Sequence, residues 1–468
     1  MRLTRLLVAA ATVTALAACS GGGGGVVGTP GGSGVRDPYF PKAGNGGYDV
    51  GHYDLVLDYD PDAGRLTGTA TITARATRDL SAFNLDLEGL DVEKVTVGGR
   101  DARFNRAGQE LTVRPPDELG DGETFRVRVR YSGEPETVTD PDDSEEGWLP
   151  TEDGAVGLGE PVGSMAWFPG NHHPSDKATY DLAVTVPEDY GAVSNGQLTG
   201  ETTEGGRTTF RWHTGEPMAS YVATVAVGDW RISRSATEDG LPVYTAVDPE
   251  QAGASRAVLA QIPEIVKWEQ DVFGPYPFSS TGAIVDRPQD AGYALETQTR
   301  PYFPGAPDTG TLVHELAHQW YGDSVTPKTW RDMWLNEGFA TYAQWLWTED
   351  HGGDTAQETF DALYAGTYFG DEEESEAVWA FPPGTPSGAA HLSDSPVYQR
   401  GAMVLHRIRQ TVGDDAFRAL LRDWAAAHRH GNADTGDFTA FVEKSAPDED
   451  FTEIWDDWLY GDGKPERP

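Results

Sequence analysis

The stretch that most constrains this 468-residue chain is Thr311-Leu312-Val313-His314-Glu315-Leu316-Ala317-His318-Gln319-Trp320. It contains His-Glu-x-x-His. On a helix, residues four apart share a face, so His314 and His318 can point at one ion. Neutral imidazoles suit Zn²⁺, and a Glu beside the first His is placed to act as general base on a water held at the metal. Leu312, Val313, Leu316, Ala317 and Trp320 form an apolar stripe, and Asp308 or Thr309 can cap the helix start. The five-residue pattern also arises by chance, so a third ligand matters. Glu337 follows His318 after 18 residues, in Asn336-Glu337-Gly338-Phe339-Ala340. A second helix over about 333–350 would return Glu337 to the ion. Two His, one Glu and an open position form the usual layout of a catalytic zinc site.

Composition limits the partners. Lys+Arg total 35 against 75 Asp+Glu, a formal net charge of −40. Such a surface repels nucleic acid and anionic lipid, so no nucleic-acid partner is expected. The acidic runs at 140–146 and 371–376 read as solvated loops. The single cysteine is Cys19. Arg2 and Arg5 precede an apolar run from Leu6 to Ala18, too short for a good membrane span. Leu16-Ala17-Ala18-Cys19 resembles a bacterial lipobox, which implies cleavage before Cys19 and lipidation of its thiol. A plain secretory signal cut near Ala18 is the rival reading. With Cys19 consumed, no disulfide is available. The expected location is the extracytoplasmic face of a cell membrane, held by a lipid anchor.

The pattern divides the chain in order: a lipoprotein signal peptide over 1–18, a Gly-rich flexible tether over 19–44, a β domain over 45–233 and a catalytic domain over 234–468. In the β domain, alternation runs through Tyr53-Asp54-Leu55-Val56-Leu57-Asp58 and Phe125-Arg126-Val127-Arg128-Val129, with turn signals at Gly98-Gly99 and Gly120-Asp121-Gly122. This predicts an antiparallel sheet domain without helix. Beyond Trp230 a helix is expected over 255–273, a strand over 282–285, and then helices separated by Gly-rich breaks from Thr309 onward.

From His314 to Trp347, including His318-Gln319-Trp320-Tyr321-Gly322-Asp323 and Trp334-Leu335-Asn336-Glu337-Gly338-Phe339-Ala340, the chain resembles the gluzincin metallopeptidases of the aminopeptidase N family, which includes leukotriene hydrolase. Trp167-Phe168-Pro169, Ser194-Asn195-Gly196 and Gly228-Asp229-Trp230 extend the likeness through the β domain. The resemblance implies an α+β multidomain fold: an N-terminal antiparallel β-sheet domain followed by a thermolysin-like, mainly helical zinc-peptidase domain. It implies one Zn²⁺ per chain on His314, His318 and Glu337, with Glu315 as general base. Val397-Tyr398-Gln399-Arg400-Gly401 matches the family's Tyr-x-x-Gly, which makes Tyr398 the oxyanion donor.

Ala294 and Glu296 match a family segment that binds substrate backbone and amine as an edge strand, although Tyr293, Leu295 and Thr297 depart from it. Glu160, in Gly157-Leu158-Gly159-Glu160-Pro161, matches a position that helps hold the substrate's amino group; Leu158 stands where the family has Gln. Gln344 replaces a supporting Glu seven residues after Glu337. His172 and His173 match loop residues rather than ligands. The sequence closes with Trp455-Asp456-Asp457-Trp458, like the family's catalytic domain, so a more open cleft than in its longer members is expected.

The implied function is a zinc aminopeptidase acting on peptides with a free N-terminus. An endopeptidase, an epoxide hydrolase, and an inactive surface binding module of the same fold are the alternatives.

Overall fold

The computed structural model describes residues 28–288 and 291–467. Cys19 and the signal segment lie outside the described residues.

Alternation builds the first domain. Along Tyr48–Asp60 the buried side chains are Tyr48, Val50, Tyr53, Leu55, Leu57 and Tyr59. Along Arg65–Ala76 they include Leu66, Ala70, Ile72 and Ala74. One face is apolar, the other wet, as expected of a half-buried sheet. These strands lie in an eight-stranded sheet. Gly68 faces Tyr131, and a Cβ there would fall 2.2 Å from the Tyr131 ring. That ring fills the core, and its hydroxyl donates to Trp167 O at 3.0 Å. A five-stranded sheet carries the segments that reach the functional site: Thr137–Thr139, Glu145–Thr151, Gly154–Leu158, Val225–Gly228 and Gly191–Ser194.

The pairing is not wholly antiparallel. Lys177–Pro187 runs parallel to Tyr48–Asp60, with Leu182 opposite Leu55. The flexible tether expected over 19–44 is overturned from residue 28 onward. Thr29–Pro30 pairs with Leu80 and Ala82, and Gly32–Ser33 pairs with Asn45–Gly46. The glycine serves close approach, because a Cβ on Gly28 would lie 2.5 Å from Leu80 C. The same segment reaches the second domain: the buried Asp37 carboxylate accepts from Trp330 N at 2.9 Å and lies 3.2 Å from His173 Nε2.

The expected domain boundary at 233 cuts a strand. Arg231–Ala236 pairs with Pro242–Val247 in a four-stranded sheet that continues through Thr281–Val285 and Tyr302–Phe303. The single helix expected over 255–273 is two, Ala252–Leu259 and Ile262–Phe273. Pro263 is the reason: without an N–H and with its ring against the preceding turn, proline belongs at a helix start. The acidic run at 371–376 is not a loop. Glu372–Ala377 is a short helix capped by Asp371, with acidic residues at its electropositive end.

Around the site the helices are Thr309–Ala317, Trp334–Asp350 and Gly401–Val412, with a π-helical turn over Pro396–Arg400. Trp334–Asp350 is apolar nearly all round and buried over most of its length, as a central helix must be. It crosses Gly401–Val412 where Gly338 faces Gly401. A Cβ on Gly338 would lie 3.0 Å from Gly401 C, and one on Gly401 would lie 3.1 Å from Gly338 Cα.

Candidate metal centre and substrate cleft

Asp308 starts the first helix by accepting from Thr311 N at 2.8 Å. His314 lies in that helix and His318 closes it. Glu337, one turn into Trp334–Asp350, brings Oε2 to 3.0 Å from His314 Nε2 and 3.4 Å from His318 Nε2. Each imidazole is fixed from behind. His318 Nδ1 donates to Tyr321 O at 3.0 Å, and His314 Nδ1 lies 3.3 Å from Gln344 Oε1. Both Nε2 atoms are thereby turned toward Glu337, the orientation a metal ligand needs.

The donor set fits a cation. His314, His318 and Glu337 present ligand atoms that all lie within 4.8 Å of one another, as do Glu296, Glu315 and His318, and Glu160, Glu296 and Glu337. Four carboxyl groups thus converge on two imidazoles in a buried place. Burial works against ionised Glu337, yet the His318 charge and the hydrogen bonds from both His residues hold its carboxyl far below the usual range. Burial pushes Glu315 up, with the His318 charge opposing, and Glu296 and Glu337 adding to the rise. Burial also raises Glu160, reinforced by the nearby Glu296 and Glu337. Crowded carboxyls of this kind call for positive charge among them.

A cavity of about 270 Å³ opens here, lined by Glu160, Ala294, Glu296, His314, Glu315, His318, Glu337 and Tyr398 among others. The structure therefore brings every site residue singled out within the described chain to one pocket. Tyr398 sits in the π-helical turn, its ring 6.1 Å from that of His314 and 14° from parallel. The buried Arg400 guanidinium anchors the turn by donating to Trp458 O and Phe381 O, at 2.9 and 3.2 Å.

The segment 291–299 is not an edge strand: it makes only a single bridge, Leu295 to Tyr302. Gln319 holds it instead, accepting from Thr299 N at 2.7 Å and donating to Glu296 O at 3.4 Å. The β domain adds Asn195 Nδ2 to Gln298 O at 2.8 Å. Its Tyr221 hydroxyl donates to Gly322 O at 2.9 Å. His172 and His173 are buried away from the pocket, bonded to Phe168 O and Ser175.

The acidic run at 140–146 is not a solvated loop either. Asp140, Pro141, Asp142 and Ser144 line the cavity, and Glu146 is fully buried. Local sequence gives no sign of this, because the contact that seats the turn spans 148 residues, from Tyr293 Oη to Glu145 O at 3.1 Å.

Residues 308–458 match the Peptidase family M1 domain and residues 50–222 match the Peptidase M1 N-terminal domain. A zinc metallopeptidase of the M1 family from Deinococcus radiodurans, solved as a mutant with a Tyr-Ser-Ala substrate, superposes with a TM-score of 0.85 at 30% identity; the match covers 93% of this chain and 99% of that one. The chain belongs to the M1 peptidase family.

This M1 peptidase is also 26% identical to Aminopeptidase 2 of Candida albicans over 462 residues, 88% of this chain and 47% of that protein. It is 27% identical to Aminopeptidase N of Lactobacillus delbrueckii over 446 residues, 88% of this chain and 51% of that one. The chain spans about half the length of the curated relatives it matches. In this M1 peptidase, His314, His318 and Glu337 are the residues that would hold the family's zinc.

Proposed function

We propose that this protein is a zinc-dependent aminopeptidase that hydrolyses the first peptide bond of substrates with a free N-terminus. The observation that carries the reading is the placement of Glu296 and Glu160 beside Glu337, within 4.8 Å ligand to ligand. A cationic α-amino group loses hydration on entering the cleft, and paired carboxylates offset that loss with charge-assisted hydrogen bonds. An amine held there sets the carbonyl of that same first residue at the metal centre.

When bound, zinc supplies Lewis acidity that polarises that carbonyl and lowers the pKa of water. The Glu315 carboxylate accepts a proton from the attacking water and delivers it to the amine that leaves. The C–O bond forms first, as the carbonyl opens to an oxyanion; the carbonyl then re-forms and the C–N bond breaks as the leaving amine takes the proton. The products are a free amino acid and a peptide one residue shorter. The Tyr398 hydroxyl donates to the developing oxyanion, while Gln319 keeps the segment from Glu296 to Thr299 in place.

The test compares aminoacyl reporter substrates with their N-acetylated forms. Free substrates should be cut and acetylated ones should be poor. Glu296→Ala should lower kcat/KM for the free set by roughly 1.5–3 kcal/mol and barely change the acetylated set. Equal cleavage of both sets by the wild type makes the protein an endopeptidase.

The same proposal places the enzyme on a membrane through lipid on Cys19, supported by the sequence Leu16-Ala17-Ala18-Cys19. No helix among the described residues is long and apolar enough to cross a membrane. Cys19→Ala should move the protein from the membrane fraction to the medium; continued membrane association would refute the anchor.

A further inference from the structure

We propose that Tyr221 of the β domain is a positioning residue for the reaction: its hydroxyl ties the backing of His318 to the backing of Glu337, and the turn that carries it holds the segments bearing Glu296 and Glu160, so that the β domain gauges the distance between amine site and metal centre. The metal side of the inference needs no substrate; the amine side rests on the aminopeptidase reading.

Tyr221 lies in the 3₁₀ turn Ser220–Val222 and is 2% exposed. Its hydroxyl is used both ways. It donates to Gly322 O at 2.9 Å and accepts from Asn336 Nδ2 at 3.2 Å. Each partner stands behind a metal ligand. Gly322 lies between Tyr321, whose carbonyl accepts from His318 Nδ1 at 3.0 Å, and Asp323, whose N–H donates to His318 O at 2.9 Å. Gly322 also backs the imidazole directly: a Cβ there would lie 3.1 Å from His318 Nδ1 and 3.4 Å from Asn336 Nδ2.

Asn336 directly precedes Glu337 in the helix Trp334–Asp350. Its Oδ1 has no partner among the described residues, so the amide is held at its Nδ2 end, by Tyr221 and by Met333 Sδ at 3.9 Å. One phenol oxygen therefore joins the end of the His318 helix to the start of the Glu337 helix.

The main chain of the same turn faces the amine site. Val222 O accepts from Gln298 N at 3.1 Å, two residues beyond Glu296. Asn195 Nδ2 braces that carbonyl at 3.0 Å. On the other side, Gly159 admits the turn against the chain just before Glu160: a Cβ on Gly159 would lie 2.8 Å from Tyr221 O.

A buried network of this kind is costly to leave half made. Without the hydroxyl, Gly322 O and Asn336 Nδ2 lose their shared partner, and each is free to move with the ligand it backs. The ring stays seated edge-on against Trp330, with centroids 5.1 Å apart at 71°. Tyr221→Phe thus separates the tie from the packing.

The experiment uses Tyr221→Phe in the full chain. Chelator competition at equilibrium reads zinc retention, and the absorption bands of the cobalt-substituted protein report ligand geometry. Retention should fall roughly tenfold, and the cobalt bands should shift. On an unblocked aminoacyl reporter kcat should fall about tenfold or more, because small misplacements at the reacting centre are costly. KM should stay within about twofold, because the main chain still holds the amine segment. A variant that melts earlier but keeps wild-type retention and wild-type cobalt bands assigns Tyr221 to packing alone and overturns the inference. So does a rise in KM with kcat unchanged.

Asn336→Ala covers a Tyr221→Phe protein that fails to fold. It cuts only the Glu337 arm of the tie, so retention should fall by about threefold, and wild-type retention overturns the inference. Metal retention and cobalt bands are read without substrate. If both change in Tyr221→Phe while the wild type cuts acetylated and free reporters equally, the tie stands and the aminopeptidase reading falls. Unchanged metal behaviour in an enzyme that prefers free N-termini overturns the inference and leaves that reading intact.

Discussion

Gln344 Oε1 accepts from His314 Nδ1 at 3.3 Å while Gln344 Nε2 donates to Gly310 O at 3.0 Å. The second bond fixes which end of the amide faces the imidazole. The support behind His314 is therefore neutral. A carboxylate there would raise the basicity of the ring and its hold on a cation. Gln344→Glu should tighten zinc retention by about tenfold, and Gln344→Ala should loosen it by roughly 10–100-fold. Chelator competition at equilibrium reads both. Unchanged retention in Gln344→Ala would mean that packing alone orients His314.

Glu315→Gln should keep the fold and one zinc per chain but lower kcat by ~10²–10⁴-fold, the span of a general base. The amide is isosteric and cannot take the proton of water. Turnover kinetics with metal analysis on the same sample checks it. Normal kcat in a zinc-replete variant would assign the proton transfer to another group.

Tyr398→Phe should lower kcat by ~10²–10³-fold with little change in KM, because a phenol aimed at the oxyanion acts in the transition state. The ring should keep its place, since its stacking on His314 and the Arg400 anchor do not use the hydroxyl. A rise in KM alone would make Tyr398 a binding residue.

Stability should respond to pH through Asp176 in the β domain. Burial pushes its carboxyl up to about 8 from a usual 3.8; Asp49 adds to the rise, and bonds from Asn171 and Val50 N oppose it. The folded state thus holds a proton that the unfolded chain releases above pH 4. The stability from Asp176 is fully present below that point and is lost as pH rises through about 8. Melting temperature should fall between pH 5 and 8.5, and Asp176→Asn should flatten the fall by several degrees, at ~2–4 °C per kcal/mol for a domain of this size. An identical slope in the variant would move the effect to other groups, Asp86 first, which burial raises to about 7.

The parts legible in the sequence are those set by short-range periodicity. Alternation along Tyr53–Asp58 marks a strand wherever it docks, and His314 with His318 shares a helix face by geometry alone. The break before Pro263 was also written locally and needed only the rule for proline. Asp140 was not legible. Its surroundings come from Tyr293 and Glu296, more than 150 residues away, so an acidic run reads the same whether a turn meets solvent or closes a cleft. Gly28 and Gly31 mislead for a related reason: glycine permits both flexibility and close approach, and only the partner strand decides.

The facing pair Gly338 and Gly401 sets a tolerance. Glu337 directly precedes one glycine, and Tyr398 stands three residues before the other. The span between metal ligand and oxyanion donor is therefore gauged by a contact between two bare backbones. A methyl group on either glycine would meet the facing backbone at 3.0–3.1 Å and would need a shift of a few tenths of an ångström between the two helices that carry these groups. Side chains around the cleft can vary and tune what enters, but this spacing is set by backbone against backbone and has no rotamer to adjust.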